Sequence, residues 1–172
     1  SYLSYSNETL KEKLEHNPFT FLHIINPDYK DKIKKKGIEK FNAVKNKFND
    51  FKEEILLPHK LSINGPFSAT ADVNGDNLDD VFIGGAAQQE GVLFLQTKEG
   101  KFQKSLSNPW SKDKDSEDLE ALFFDLDGDG DNDLYVASGG SEFKSGNKLL
   151  KDRVYINDGV GNFSKSFKAL PN

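Results

Sequence analysis

The sequence predicts a mainly β protein: two propeller-type blades, each built around an acid-rich loop, preceded by a partly helical N-terminal extension. Three observations predict it. A nine-residue loop of alternating oxygen-bearing side chains occurs twice, at 72–80 and at 125–133. Short apolar and aromatic runs flank both loops. A strand, a glycine-bearing turn and a second strand then follow each loop in the same order.

The second loop is the sharper of the two. Asp125-Leu-Asp-Gly-Asp-Gly-Asp-Asn-Asp133 places acids at positions 1, 3, 5 and 9, with a glycine at position 6. A hard cation such as Ca²⁺ takes six to eight oxygens at about 2.3–2.6 Å, and a short loop of alternating carboxylates supplies them. Asp125, Asp127, Asp129 and Asp133 can converge on one point, with the backbone carbonyl of Asp131 as a fifth ligand. Gly130 permits a left-handed kink around the ion. Four carboxylates this close repel one another without a counter-charge, so turn chemistry alone does not account for them. Mg²⁺ fits less well, because it keeps its waters and requires near-octahedral geometry.

The first loop repeats the pattern. Asp72, Asn74, Asp76 and Asp80 stand at positions 1, 3, 5 and 9, and the carbonyl of Leu78 stands at position 7. Asn77 replaces the glycine at position 6, and Asn tolerates the left-handed region better than other non-glycine residues. Two Ca²⁺ sites are therefore expected.

The flanks are strands. Phe67–Ala71 and Ala121–Phe124 precede the loops; Val81–Ile83 and Leu134–Val136 follow them, each running into small residues. An EF-hand needs a bidentate acid at position 12 and a helix on each side. Position 12 is Ile83 or Val136, which excludes one.

The N-terminal part is less regular. Leu10 and Leu14, four apart after the capping residue Ser6, predict a short helix, and Thr20–Ile25 reads as a strand stopped by Asn26-Pro27. Residues 28–36 are polar and lysine-rich. In 38–56 the spacing of Ile38, Phe41, Val44, Phe48, Phe51 and Ile55 is helical, while Asn42, Asn46 and Asn49 are poor helix formers.

Gly91–Phe102 aligns with Arg153–Phe163 as strand, tight turn and strand. Asp125 lies 53 residues after Asp72, whereas Phe163 lies 61 after Phe102, so the second unit carries an insertion of about eight residues, placed in 141–152. This divides the chain into an extension at 1–61, a first repeat at 62–106, an acidic connector at 107–120 and a second repeat at 121–172.

The chain has 172 residues, 30% of them charged, with a net charge of −5, which argues against nucleic acid as a partner. No stretch approaches the roughly 20 apolar residues of a membrane span. There is no cysteine, which removes thiolate metal sites. The chain begins at Ser1 and contains no methionine, so a cut piece or a processed product is expected.

The loops resemble the FG-GAP and VCBS repeats, the cation-binding blades also found in integrin α-chain propellers. The resemblance covers roughly residues 62–168. It implies metal ligation by Asp72, Asn74, Asp76, Asp80, Asp125, Asp127, Asp129 and Asp133. Phe82-Ile-Gly-Gly-Ala86 stands where that family has its Phe-Gly…Gly-Ala-Pro stretch, without the proline. The run from Gly37-Ile38 to Leu61 is similar to the lead-in of such repeats in large bacterial surface proteins of the ASPIC/UnbV-associated type. That similarity implies extended chain across 38–56, against the helical period.

Other candidates have plainer readings. His16, His23 and His59 lie in no metal or nucleophile motif, and Lys34–Lys36 reads as a solvated face. Trp110 is either a core residue or a sugar-stacking platform. The function expected is non-enzymatic: a calcium-stabilised extracytoplasmic module that binds a protein or glycan, or scaffolds, within a larger surface or secreted protein. The alternative is an accessory domain of a polysaccharide- or polymer-acting enzyme. Two blades do not close a propeller. The isolated chain is thus expected either to oligomerise or to cover an exposed edge with its N-terminal segment.

Overall fold

The structure is a computed structural model and describes residues 28–40 and 67–170. The expected helix near 6–14, the strand at 20–25 and residues 41–56 lie outside the described residues.

Eight strands form two four-stranded antiparallel sheets. The first contains β1 (Ser68–Ala71), β2 (Asp80–Ile83), β3 (Val92–Gln96) and β4 (Phe102–Lys104) in sequence order. The second contains β5 (Glu117–Phe124), β6 (Asp133–Gly139), β7 (Arg153–Ile156) and β8 (Ser164–Ser166), again in sequence order. Each sheet is a meander of the propeller-blade type, and the predicted fold class stands. The register is equivalent in the two repeats: Ala69 pairs with Phe82, which pairs with Leu93, and Leu122 pairs with Tyr135, which pairs with Val154.

The core lies between the sheets. Ala69, Val73, Phe82 and Leu93 of the first pack with Ala121, Leu134, Val136, Tyr155 and Phe163 of the second. Trp110 fills the centre of this layer. It sits on a 3₁₀ helix, Pro109–Asp113, in the connector. Its ring meets Phe82 and Tyr155 edge-on, with centroids 5.1 and 5.7 Å away. Of the two readings of Trp110, burial decides for the core, since only 2% of the residue is exposed.

The connector is shorter than the sequence implied. Residues 117–120, read as part of it, begin β5. The cause is long-range: Asp118 is buried against the guanidinium of Arg153, and its carboxylate also accepts the Gly85 N–H at 2.7 Å. The Asp118 N–H donates to the Gly85 carbonyl at 3.0 Å, which stitches β5 to the end of the first sheet. Burial pushes the Asp118 carboxyl above its usual range, opposed by Arg153 and the Gly85 N–H.

A helix, α1 (Asp28–Lys40), occupies the lysine-rich stretch for which no element was expected. Its apolar content is slight, so packing rather than period makes it. Ile33 and Gly37, one turn apart, are buried, and Ile33 packs in a cluster with Val81, Ile83 and Phe94. Gly37 lets the helix approach: a Cβ there would lie 2.6 Å from Val81 Cγ1. This part of the N-terminal segment covers a face of the first sheet rather than an edge.

Between β6 and β7 the extra residues form turns and a second 3₁₀ helix, Lys148–Leu150. They fall inside the segment where the repeat comparison placed the insertion.

Candidate metal centre

Both acid-rich loops join the first two strands of a sheet, 72–80 between β1 and β2 and 125–133 between β5 and β6. They fold by the same internal ladder. In the first, Asp72 Oδ1 accepts the Gly75 N–H at 2.8 Å and Asp72 Oδ2 accepts that of Asn77 at 2.7 Å. In the second, Asp125 Oδ1 accepts the Gly128 N–H at 2.7 Å and Asp125 Oδ2 that of Gly130 at 3.2 Å. Position 3 accepts from the N–H of position 5 in both loops, and position 5 from that of position 7. These bonds wind the chain around the side-chain oxygens.

The winding requires left-handed residues. Asn77 has φ of 65° and Gly130 of 95°, as position 6 was expected to have. Gly75 and Gly128, both at position 4, also have positive φ, 75° and 85°. The repeated glycine at position 4 was a visible signal that the sequence reading passed over.

Position 9 is the anchor. Asp80 and Asp133 are buried at the starts of β2 and β6. Asp80 accepts the Val73 N–H at 3.1 Å and the Gln96 N–H at 2.8 Å. Asp133 accepts the Leu126 N–H at 3.1 Å and the Asn157 N–H at 2.8 Å. Each carboxylate therefore ties the loop's second residue to the end of the third strand. Burial pushes the Asp80 carboxyl up to about 7, against the pull of the Gln96 and Val73 N–H groups; Asp76 and Asp72 push it further.

The two loops differ in how closely their acids gather. Asp125, Asp127 and Asp133 offer oxygens that all lie within 4.8 Å of one another, the one such trio of acids or histidines among the described residues. Asp129 is outside this trio, and Asp72, Asp76 and Asp80 do not meet the same spacing. In the first loop the amide of Asn74 donates to Asp76 Oδ2 at 3.2 Å, so one carboxylate already has an internal partner. Leu78 buries its aliphatic side chain, and its backbone carbonyl is the only oxygen the residue has.

The donor set of the second loop fits a hard cation. Its trio is all carboxylate, and Asp131 Oδ1 is a buried oxygen with no hydrogen-bond partner among the described residues. Burial first, then Asp129, Asp133, Asp127 and Asp125, push the Asp131 carboxyl up to about 6. The Asp127 carboxyl is also raised, by desolvation and then by Asp129. A cation among these groups would relieve that repulsion.

The loops are bound to each other. Asn132 Nδ2 donates to the Asp72 carbonyl at 2.9 Å. Asn157 Nδ2 donates to the carbonyls of Val73 at 2.8 Å and Asn132 at 3.2 Å. Gly161, in the β7–β8 turn, sits where a Cβ would be 3.5 Å from that of Asn74. Neither asparagine was singled out from the sequence, where each reads as an ordinary turn residue.

Fold and loops together define a protein of blade-type β repeats with acid-rich interstrand loops. Residues 72–136, which span both loops, match the family described as FG-GAP-like repeat. A comparison with curated proteins finds none that matches the chain.

Proposed function

We propose that this chain is a calcium-stabilised, non-enzymatic repeat module that binds or scaffolds outside the cytoplasm, as part of a larger surface or secreted protein. The observation that carries the reading is the acid trio of the second loop, which is tied to the first loop by its own Asn132 and by Asn157 after β7. Asp125, Asp127, Asp129 and Asp133, with the Asp131 carbonyl, would hold one Ca²⁺. Asp72, Asn74, Asp76 and Asp80, with the Leu78 carbonyl, would hold a second. The ion supplies positive charge that fixes loop shape, and the loops fix the angle between sheets. Oxygen sites of ~10⁻⁴–10⁻³ M affinity fill at extracellular calcium levels, which supports an extracytoplasmic location.

A second feature supports the repeat character. Leu122 and Phe124, on the side of the second sheet away from the first, are 55% and 37% exposed. Their counterparts in the first sheet are Ala69, 5% exposed beneath the second sheet, and Ala71, packed against the same core. Such a face suits a further sheet of the same kind. No helix among the described residues is long and apolar enough to cross a membrane. The test is calcium removal. Binding of two Ca²⁺ per chain by calorimetry, with a lower melting temperature in chelator, is the expected result; absence of calcium binding would overturn the reading.

A further inference from the structure

We infer that a groove at one corner of the second sheet binds an acidic peptide carrying aliphatic side chains. The groove is an open cleft of about 920 Å³, within the size range of clefts that accommodate a small ligand or short segment. It lies between the two 3₁₀ helices, the start of β7 and the end of β8.

Its charge is the first argument. Lys112, Lys148 and Lys151 line it, are exposed, and have no ion pair among the described residues. Five cationic side chains line the groove against three carboxylates, Asp113, Asp115 and Asp152, each of which has a partner. Asp113 accepts the Tyr155 hydroxyl at 2.8 Å and the Lys165 ammonium at 2.6 Å. Asp152 accepts the Tyr135 hydroxyl and the Ser138 N–H, and Asp115 accepts the Gln88 amide at 3.0 Å. Three lysines without an ion pair among the described residues thus line one groove in a chain whose net charge is −5. Such local reversal of sign attracts an anionic partner.

The second argument is the apolar lining. Leu149, Leu150 and Leu170 contribute branched aliphatic surface. Phe167 is 84% exposed, and the Lys165 ammonium lies 5.6 Å from its ring centroid. Aliphatic walls pack against leucine- or valine-like side chains, and Phe167 is the one flat ring in the lining on which a sugar could stack. With one aromatic ring, already approached by a cation, the lining favours peptide over acidic polysaccharide.

This inference rests on the reading of the chain as a binding module and names its ligand class. It does not use the calcium loops. The test is fluorescence polarisation with the full chain and a labelled peptide of alternating glutamate and leucine, beside polygalacturonate as the glycan probe. The peptide is expected to bind saturably. Binding should weaken about tenfold in Lys148→Glu/Lys151→Glu, and also between about 50 and about 500 mM salt. Lys112→Glu, in a different wall, should weaken it too, and Leu150→Ala should do so without changing the salt dependence. No peptide binding, unchanged binding in both charge variants, or tighter binding of polygalacturonate would overturn the inference. A chain that melts lower in chelator yet ignores the peptide would sink the groove alone. A chain that binds the peptide but no calcium would sink the calcium-module reading instead.

Discussion

Asn157 donates its side-chain amide to the carbonyl of Val73, 84 residues earlier, at 2.8 Å. One side chain at the end of the second sheet thereby holds the first acid-rich loop in place. The same amide reaches the Asn132 carbonyl, and its Oδ1 accepts the N–H groups of Asp158 and Gly161. The residue is buried, so these bonds form away from competing water.

Asn157→Ala removes all four bonds and leaves a buried carbonyl and amide groups without partners. Each such group costs about 1–3 kcal/mol, so a loss of about 2–4 kcal/mol is expected after partial relaxation. Urea unfolding of the variant measures it. A change below about 0.5 kcal/mol, the range of ordinary surface substitutions, would mean that the sheets are held together elsewhere.

Trp110 is the other inter-sheet element, in contact with rings from both sheets. Trp110→Ala should destabilise the fold by about 3–5 kcal/mol, the cost of emptying a large core position. Equal melting temperatures for variant and parent would show that the sheets do not share a core.

Gly37 tests the packing of α1. Alanine is the better helix former by about 1 kcal/mol. The added methyl would press on Val81, whose branched side chain has little freedom to move. Overpacking costs about 1–3 kcal/mol, so Gly37→Ala should be neutral to destabilising. A clear rise in melting temperature would place the helix farther from β2 than it stands.

These three positions mark what the sequence could and could not tell. The strands beside the loops were legible because the acid pattern pins them: β2 and β6 begin on Asp80 and Asp133, the last loop position. Trp110 could be read two ways until its partners were known, since they lie in three separate segments. The helix at 28–40 was illegible because, among its residues 31–37, only Ile33 and Gly37 are buried. Glu117 and Asp118 looked like connector because they lie in an acidic run, and the partners of buried Asp118, Arg153 and the Gly85 N–H, are both far away in the chain. Asn132 and Asn157 carry no sequence mark beyond turn propensity. Their role exists only once the loops are side by side.

The loops themselves should differ in strength. The second offers four carboxylates and a glycine at position 6; the first offers three and must hold Asn77 at positive φ. Affinity in oxygen sites rises with ligand charge and rigidity. The Asn74–Asp76 bond also leaves the empty first loop better satisfied. Asp127→Ala should therefore destabilise the calcium-loaded protein more than Asn74→Ala and abolish the tighter event in a calcium titration. If the tighter event survives Asp127→Ala, the ranking of the sites is wrong.

The central claim is that calcium holds the blades, and thermal unfolding with and without the ion tests it most directly. An ion at ~100 times its dissociation constant contributes about 2.7 kcal/mol, equivalent to a shift of about 5–10 °C for a chain of this size. The melting temperature in about 10–100 mM calcium, ~100 times a dissociation constant of ~10⁻⁴–10⁻³ M, should exceed that in chelator by about this much. Identical melting curves, with elemental analysis confirming that the chelated sample carries no metal, would contradict the account.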